Sequence, residues 1–294
     1  MSQANLGGRF AFPGTSLTVN RVGYGAMQLP GPGVYGPPKD HGAAIAVLRE
    51  AVKLGINHID TSDFYGPHVA NHLIREALHP YPQDLVIVTK IGGKRGTDKS
   101  WQPAYSKDEL TSAVHDNLRH LKVDALDVVN LRLGAGHGAG APSFEEMMQT
   151  VIGLKQQGHV KHIGLSNVTP EEFAKGAAMT PVVCVQNWYN VARRGDDAFI
   201  DDLARQGVAY VPFFPVGGFA PLQSEILDKV AAQVGATSRQ VAQAWILQRA
   251  PNILMITGTS SPAHLHENAA IGGIRLPPDA VAALNSIAEA APAH

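Results

Sequence analysis

The sequence predicts an α/β fold: a (β/α)8 TIM barrel with an N-terminal β-hairpin, forming one domain over residues 1–294. Three observations point there. Short runs rich in Val and Ile recur along the chain, each followed by a helical pattern. The runs are continuous rather than alternating, as expected of strands buried on both faces of a helix-covered parallel sheet. Eight such pairs are present, and they occupy the roughly 250 residues that a barrel of this kind takes.

In chain order, "FAFPGTSLTV" alternates around Pro13-Gly14 and reads as a hairpin placed to plug the barrel bottom. The first pair is "RVGYGAMQ" (21–28) with a helix over 41–54. "INHID" (56–60) precedes a helix over Val69 to Leu78, and "LVIVTK" (85–90) precedes "SKDELTSAVHDNLRHL". Ser106 caps that helix and Glu109 follows three residues on, a capping box. "ALDVVNL" (125–131) leads to a helix over 143–157. "HIGLSN" (162–167) leads to "TPEEFAKGAA", with Thr169 as cap and Pro170 at the first helical position. "VVCVQ" (182–186) precedes a helix over 196–206, and "VAYVPF" (208–213) precedes helices from about 221 to 249. "NILMIT" (252–257) precedes a helix starting near Ser261. A doubly wound sheet is the alternative, but "GYGAMQ" lacks the third glycine of a phosphate fingerprint and does not open directly into a helix.

Composition removes several classes of function. A formal net charge of -1 supplies no basic field for nucleic acid. No apolar run approaches the roughly 18 residues needed to span a bilayer. The one cysteine, Cys184, rules out an intrachain disulfide and sits in an apolar run as a small buried hydrophobe. The N-terminus has no charged start followed by an apolar core. These features predict a cytoplasmic protein with no nucleic-acid or membrane partner.

Barrel chemistry is carried at the C-terminal ends of strands. Those ends present Asp60, with Tyr65 in the next loop, then Lys90, Arg132, Ser166 with Asn167, Gln186, Phe213 with Phe214, and Gly258-Thr259-Ser260. Met27 and Trp188 fall near the same rim as candidate substrate-pocket residues. A free phenol, with a pKa of about 10, exchanges protons poorly at neutral pH. An ammonium about 4 Å away at an effective dielectric of 20 favours phenolate by roughly 4 kcal/mol. An aspartate behind the lysine keeps it charged and oriented, and the tyrosine can then protonate a carbonyl oxygen. The plainer reading is an Asp–Lys pair that ties two strands, with Tyr65 as a loop aromatic. Neither "HID" nor His264-Leu-His266 has the spacing of a firm zinc site, so the expectation is no metal.

"INHIDTSDFYG", "VTKIG", "IGLSN", "VQNWYN" and "ILMITGTSSPAHLHEN" resemble the aldo-keto reductase superfamily in order, spacing and strand position, over essentially the whole chain. "RVGYGAMQLPGPGVYGPP", "DALDVVNLR" and "YVPFFPVGGFAPLQS" resemble its bacterial pyridoxal-reducing branch. The resemblance implies that Asp60 supports Lys90, that Lys90 tunes Tyr65, and that Tyr65 is the proton donor. It implies NADPH/NADP+ as cofactor, with Ser166, Asn167 and Gln186 at the nicotinamide amide and Phe213 stacked on the ring. Glu267 and Asn268 match adenine-side contacts. Gly258 stands where many members carry a lysine and His264 where they carry an arginine, while Thr259 and Ser260 still offer hydroxyls and helix amides to a phosphate. Arg132 replaces the usual histidine. It reads either as a reader of an anionic or phenolic substrate group and a developing oxyanion, or as a clamp on Asp60 or Asp63. The implied activity is reduction of an aldehyde to a primary alcohol, pyridoxal to pyridoxine. The competing readings are a general aldehyde or ketone reductase, a non-catalytic NADP-binding regulatory protein of the same fold, and a metal-dependent barrel hydrolase.

Overall fold

The structure, a computed structural model, describes residues 4–134, 142–218 and 224–289. β1 (Arg9–Ala11) and β2 (Thr18–Asn20) pair antiparallel as the expected hairpin. β3 (Tyr24–Gly25), β4 (His58–Asp60) and β5 (Val86–Ile91) follow in parallel. A second hairpin, β6 (Gly93–Arg95) with β7 (Trp101–Pro103), then rises from the end of β5. β8 (Leu126–Arg132), β9 (Val160–Ser166), β10 (Val182–Gln186) and β11 (Ala209–Tyr210) complete a sheet in the order β11-β10-β9-β8-β5-β4-β3. Residues 252–256 close the ring: Ile253 bridges Tyr210 on one side and Met255 bridges Val22 on the other.

The two expected strands at the closing seam are shorter than their sequence runs, as is "VAYVPF" (208–213), which pairs over Ala209–Tyr210 alone. The first, read as 21–28, contributes Tyr24–Gly25 and the Val22 bridge before Ala26–Gln28 coil into a 3-10 turn. The eighth, read as 252–257, is reduced to its two bridges. The first and eighth lie at the closing seam, where Gly25 and Gly258 pass so closely that a Cβ on either would overlap the other strand's backbone. That squeeze ends regular pairing early.

Around the ring run α1 (His41–Lys53), α2 (Val69–Leu78), α3 (Lys107–Leu121), α4 (Phe144–Gln156), α5 (Pro170–Met179) and α6 (Asp197–Arg205). α7 (Glu225–Val234), α8 (Ser238–Arg249), α9 (Pro262–Ala270) and α10 (Pro278–Glu289) follow. The start expected near 221 lies outside the described residues. Capping boxes at Ser106, Ser143, Thr169 and Thr237 set where four of these helices begin. Among the described residues no helix is long and apolar enough to cross a membrane.

The continuous apolar runs are explained by two cores. Alternate strand residues such as Ile87, Val129, Leu131 and Ile163 pack outward under the helices. Their neighbours Val86, Val88, Val128, Cys184 and Leu254 point inward and meet Phe12 and Val19 of the hairpin, which fills the barrel interior from below. The inner parity decides the site. Counting in twos along each strand from this plug leads to His58 then Asp60, Val88 then Lys90, Asn130 then Arg132, and Cys184 then Gln186.

Candidate active site

Asp60 and Lys90 meet at the top of the inner layer as a buried ion pair, and the lysine Nζ also donates to the Thr61 carbonyl at 3.2 Å. The second Asp60 oxygen accepts from Gln186 Nε2 at 2.8 Å. A carboxylate accepts only, so the amide must turn its NH2 toward Asp60 and its Oε1 away. Tyr65 reaches the same place through a tight loop. Its N–H donates to the Ser62 carbonyl at 3.2 Å, its carbonyl accepts from Ala70 N at the start of α2, and Ser62 Oγ donates to the Lys90 carbonyl. Lys90 Nζ lies 5.2 Å from the centre of the Tyr65 ring.

Beneath this trio runs a buried chain that sequence reading missed. Thr61 donates to Asn71 at 2.8 Å, Asn71 to Asn117 at 2.8 Å, and Thr89 to the same Asn117 oxygen at 2.6 Å. It ties the residues next to Asp60 and Lys90 to α2 and α3. No local motif announces it; its members are Asn and Thr at helix and strand positions that read as ordinary polar residues.

The electrostatics correct one expectation. Burial raises the Tyr65 phenol above its ordinary value, and the charges of Lys90 and Arg132 only partly offset this. A depressed phenol was expected from the ammonium alone, but removing the side chain from water is the larger effect. Burial likewise works against the Lys90 ammonium, yet Asp60 and Tyr65 outweigh it and its pKa ends up raised. The pair therefore holds a charged lysine beside a protonated tyrosine.

These groups form one wall of a cavity of about 460 Å³, within the range of small-ligand sites. Asp60, Tyr65, Lys90, Arg132, Ser166 and Gln186 line it from the strand ends. Phe213, Gly258 and Met27 line it as well. Phe214 lines it beside Phe213, and Phe64 and Trp101, which sequence reading missed, also line it. Trp188 is not on this wall: it is 41% exposed, with the Arg193 guanidinium 4.3 Å from its ring centre. It bridges Phe213 beyond the end of β10 and meets the Phe214 ring edge-on at 5.8 Å.

Arg132 does not act as a clamp. Its side chain forms no ion pair or hydrogen bond with any described residue, although its charge is felt at Tyr65. Asp60 is taken by Lys90 and Gln186, and Asp63 is buried with Ser62 Oγ and the Asp63 and Phe64 backbone N–H groups at its carboxyl. Gly92, at positive φ, turns the chain out of β5 so closely that a Cβ would overlap the Arg132 carbonyl. The guanidinium is left facing the cavity, half-buried.

Asn167 sits at positive φ with Nδ2 on the Leu133 carbonyl at 2.9 Å, beside the cavity rather than on its wall. Ser260 lines a neighbouring groove that shares Met27 and Gln28 with the main cavity. Thr259 Oγ1 accepts from Ser261 N, Ser261 caps α9, and His264, Glu267 and Asn268 follow on that helix. His264 and Glu267 are exposed. His266 Nε2 instead pairs with Glu50 at 3.1 Å. His58 lies within the barrel against the Phe12 ring, and burial lowers its pKa to about 4. Cys184 is buried, its thiol on Asn130 Oδ1 at 3.2 Å. Among the described residues no three His, Cys, Asp or Glu side chains are grouped to hold a metal.

Burial, reinforced by Asp116, pushes the Asp63 carboxyl up to about 8. Between pH 4 and 8 the native state therefore holds a proton that the unfolded chain has lost, so this residue's contribution to stability falls as pH rises through that window. Asp63→Asn should stabilise the protein at pH 8 relative to pH 5 by on the order of 2 kcal/mol. Thermal melts of both proteins at the two pH values check this; a gain equal at both would mean that the carboxyl is ionised throughout.

Comparison with known proteins adds the following. The aldo/keto reductase family profile matches residues 21–289. Pyridoxine 4-dehydrogenase of Escherichia coli (strain K12) is 61% identical over 272 residues, covering 92% of this chain and 95% of that one. A thermostable aldo-keto reductase, solved with the inhibitor epalrestat, is 25% identical and superposes with a TM-score of 0.80 over 95% of this chain and 99% of that one. An aldo/keto reductase from Klebsiella pneumoniae, solved with NADP and acetate, is 22% identical with a TM-score of 0.75, over 98% and 95% of the two chains.

Proposed function

The chain belongs to the aldo/keto reductase family, and we propose that it is an NADPH-dependent reductase of aldehydes whose preferred reaction is pyridoxal to pyridoxine. One observation carries the reading: a buried Asp60–Lys90 pair and Tyr65 share a cavity with the Arg132 guanidinium, which pairs with no described residue. The high identity to a pyridoxine 4-dehydrogenase supports the choice of substrate.

The residues present suit the cofactor. With its NH2 committed to Asp60, Gln186 turns an unoccupied Oε1 away from it as an acceptor for an amide. Ser166, Asn167 and Gln186 would hold the carboxamide, and Phe213 would face the flat ring. Gly258, Thr259, Ser260 and His264, at the start of α9, would take a phosphate, with Glu267 and Asn268 on the adenine side. When bound, NADPH supplies the hydride for the carbonyl carbon.

Tyr65 passes its phenolic proton to the carbonyl oxygen, which becomes the hydroxyl of the alcohol. Lys90 stabilises the phenolate left behind, and Asp60 holds the ammonium in place. Burial keeps the phenol protonated until a substrate oxygen gains charge, so the proton moves only when it is needed. Solvent returns the proton after product leaves.

Arg132 selects the substrate. Pyridoxal carries a readily ionised phenolic oxygen beside its aldehyde. A guanidinium meets a phenolate and the adjacent carbonyl oxygen together, which a neutral imidazole does less well. Arg132→His should lower kcat/KM for pyridoxal by about tenfold or more relative to benzaldehyde, at about 1.4 kcal/mol per factor of ten. An unchanged ratio of the two would remove Arg132 as the phenolate reader, and with it the preference for pyridoxal.

A further inference from the structure

The β6–β7 hairpin is three residues per strand, too small to be stable alone. Arg95 fixes it. Its guanidinium donates to the carbonyls of Val34 at 2.8 Å, Gly33 at 3.1 Å and Lys99 at 2.7 Å. It lies between two rings, 3.9 Å from the centre of Trp101 and 5.3 Å from that of Tyr35. The Val34 carbonyl also accepts from Gly66 N at 3.2 Å, and Gly36 N donates to the Gly66 carbonyl at 2.7 Å. Gly66 follows Tyr65 directly, so the hairpin is tied by backbone to the loop that carries the proton donor.

A second route joins the same two residues. Trp101 meets Phe64 edge-on at 5.8 Å, and Phe64 meets Tyr65 edge-on at 5.4 Å. Trp101 is thus held from two sides at a set distance from the reacting hydroxyl. It remains 44% exposed, although it forms part of the cavity wall. Arg95 covers one indole face; the remaining surface is what the cavity receives. Such rigid anchoring of an uncovered aromatic surface suits a ligand with a flat ring, and an electron-rich indole stacks well on an electron-poor pyridine.

We propose that Trp101 is a specificity-determining residue that stacks on the ring of a planar heteroaromatic aldehyde, and that Arg95 is the positioning residue that keeps Trp101 in register with Tyr65. This deepens the reductase reading and rests on it for the reaction. With Arg132 on the ionised oxygen and Trp101 on the ring, two contacts orient the aldehyde toward the phenol.

The test compares the full-length protein with Trp101→Leu, Trp101→Phe and Arg95→Lys. Two quantities are measured: the ratio of kcat/KM for pyridoxal to that for butanal, and the Kd for 3-hydroxypyridine, a ring without an aldehyde. Trp101→Leu should lower the ratio and the affinity by about tenfold each, or about 1.4 kcal/mol, and Trp101→Phe should retain most of both. Arg95→Lys, which keeps charge but loses the planar fork, should raise KM for pyridoxal several-fold more than it lowers kcat. A general loss of fold would instead lower turnover of both aldehydes together. Unchanged ratio and affinity in Trp101→Leu overturn the proposal. Should the unsubstituted protein reduce neither aldehyde, the reductase reading fails, and the 3-hydroxypyridine affinities still decide whether Trp101 is the platform.

Discussion

Tyr65→Phe is expected to lower kcat by about a hundredfold or more, the range for a lost general acid. The ring stays, so the packing against Phe64 and the fold of the loop are kept. Only the hydroxyl beside Lys90 is removed. Cofactor affinity should hold, because the residues that would contact the cofactor lie on other strand ends. Near-normal turnover in this variant would exclude Tyr65 as the donor.

Lys90→Met should affect both stability and activity. Methionine fills much of the same space but leaves the Asp60 carboxylate buried with only Gln186 and no cation. Breaking a buried pair by removing one partner costs about 3–5 kcal/mol. Turnover should fall by about a hundredfold or more as well, since only the weaker influence of Arg132 is left to stabilise a Tyr65 phenolate. The double variant Asp60→Asn, Lys90→Met separates the two roles. It should regain much of the lost stability, measured by urea unfolding, and none of the lost turnover. Recovery of turnover in the double variant would reduce the pair to a tie between β4 and β5.

The barrel was legible in the chain because each strand is a continuous apolar run followed by a capped helix. The ends of those runs gave Asp60, Lys90, Arg132, Ser166 and Gln186 by position alone, and the inner parity of the strands brings all of them to one wall. Loops were harder to read. "GGKRGTDKSWQP" looks like a polar connection, yet Gly93–Arg95 pairs with Trp101–Pro103 as a hairpin over the site. Trp188 reads as a pocket candidate because it follows a strand end, yet it is largely exposed and does not line the cavity. The direction of the Tyr65 shift depended on how deeply the phenol is buried, which pattern reading does not supply. The Thr61–Asn71–Asn117–Thr89 chain is formed between elements far apart in sequence. The helix Pro278–Glu289 was not anticipated, although its sequence is rich in Ala and Leu.

The most direct test of function is NADPH consumption with pyridoxal, pyridoxal phosphate and benzaldehyde side by side, with the product of each identified. Pyridoxal should give the highest kcat/KM, with one pyridoxine formed for each NADPH oxidised. Tight binding of NADPH without its oxidation by any of the three aldehydes would contradict the reductase reading and favour a regulatory protein of the same fold.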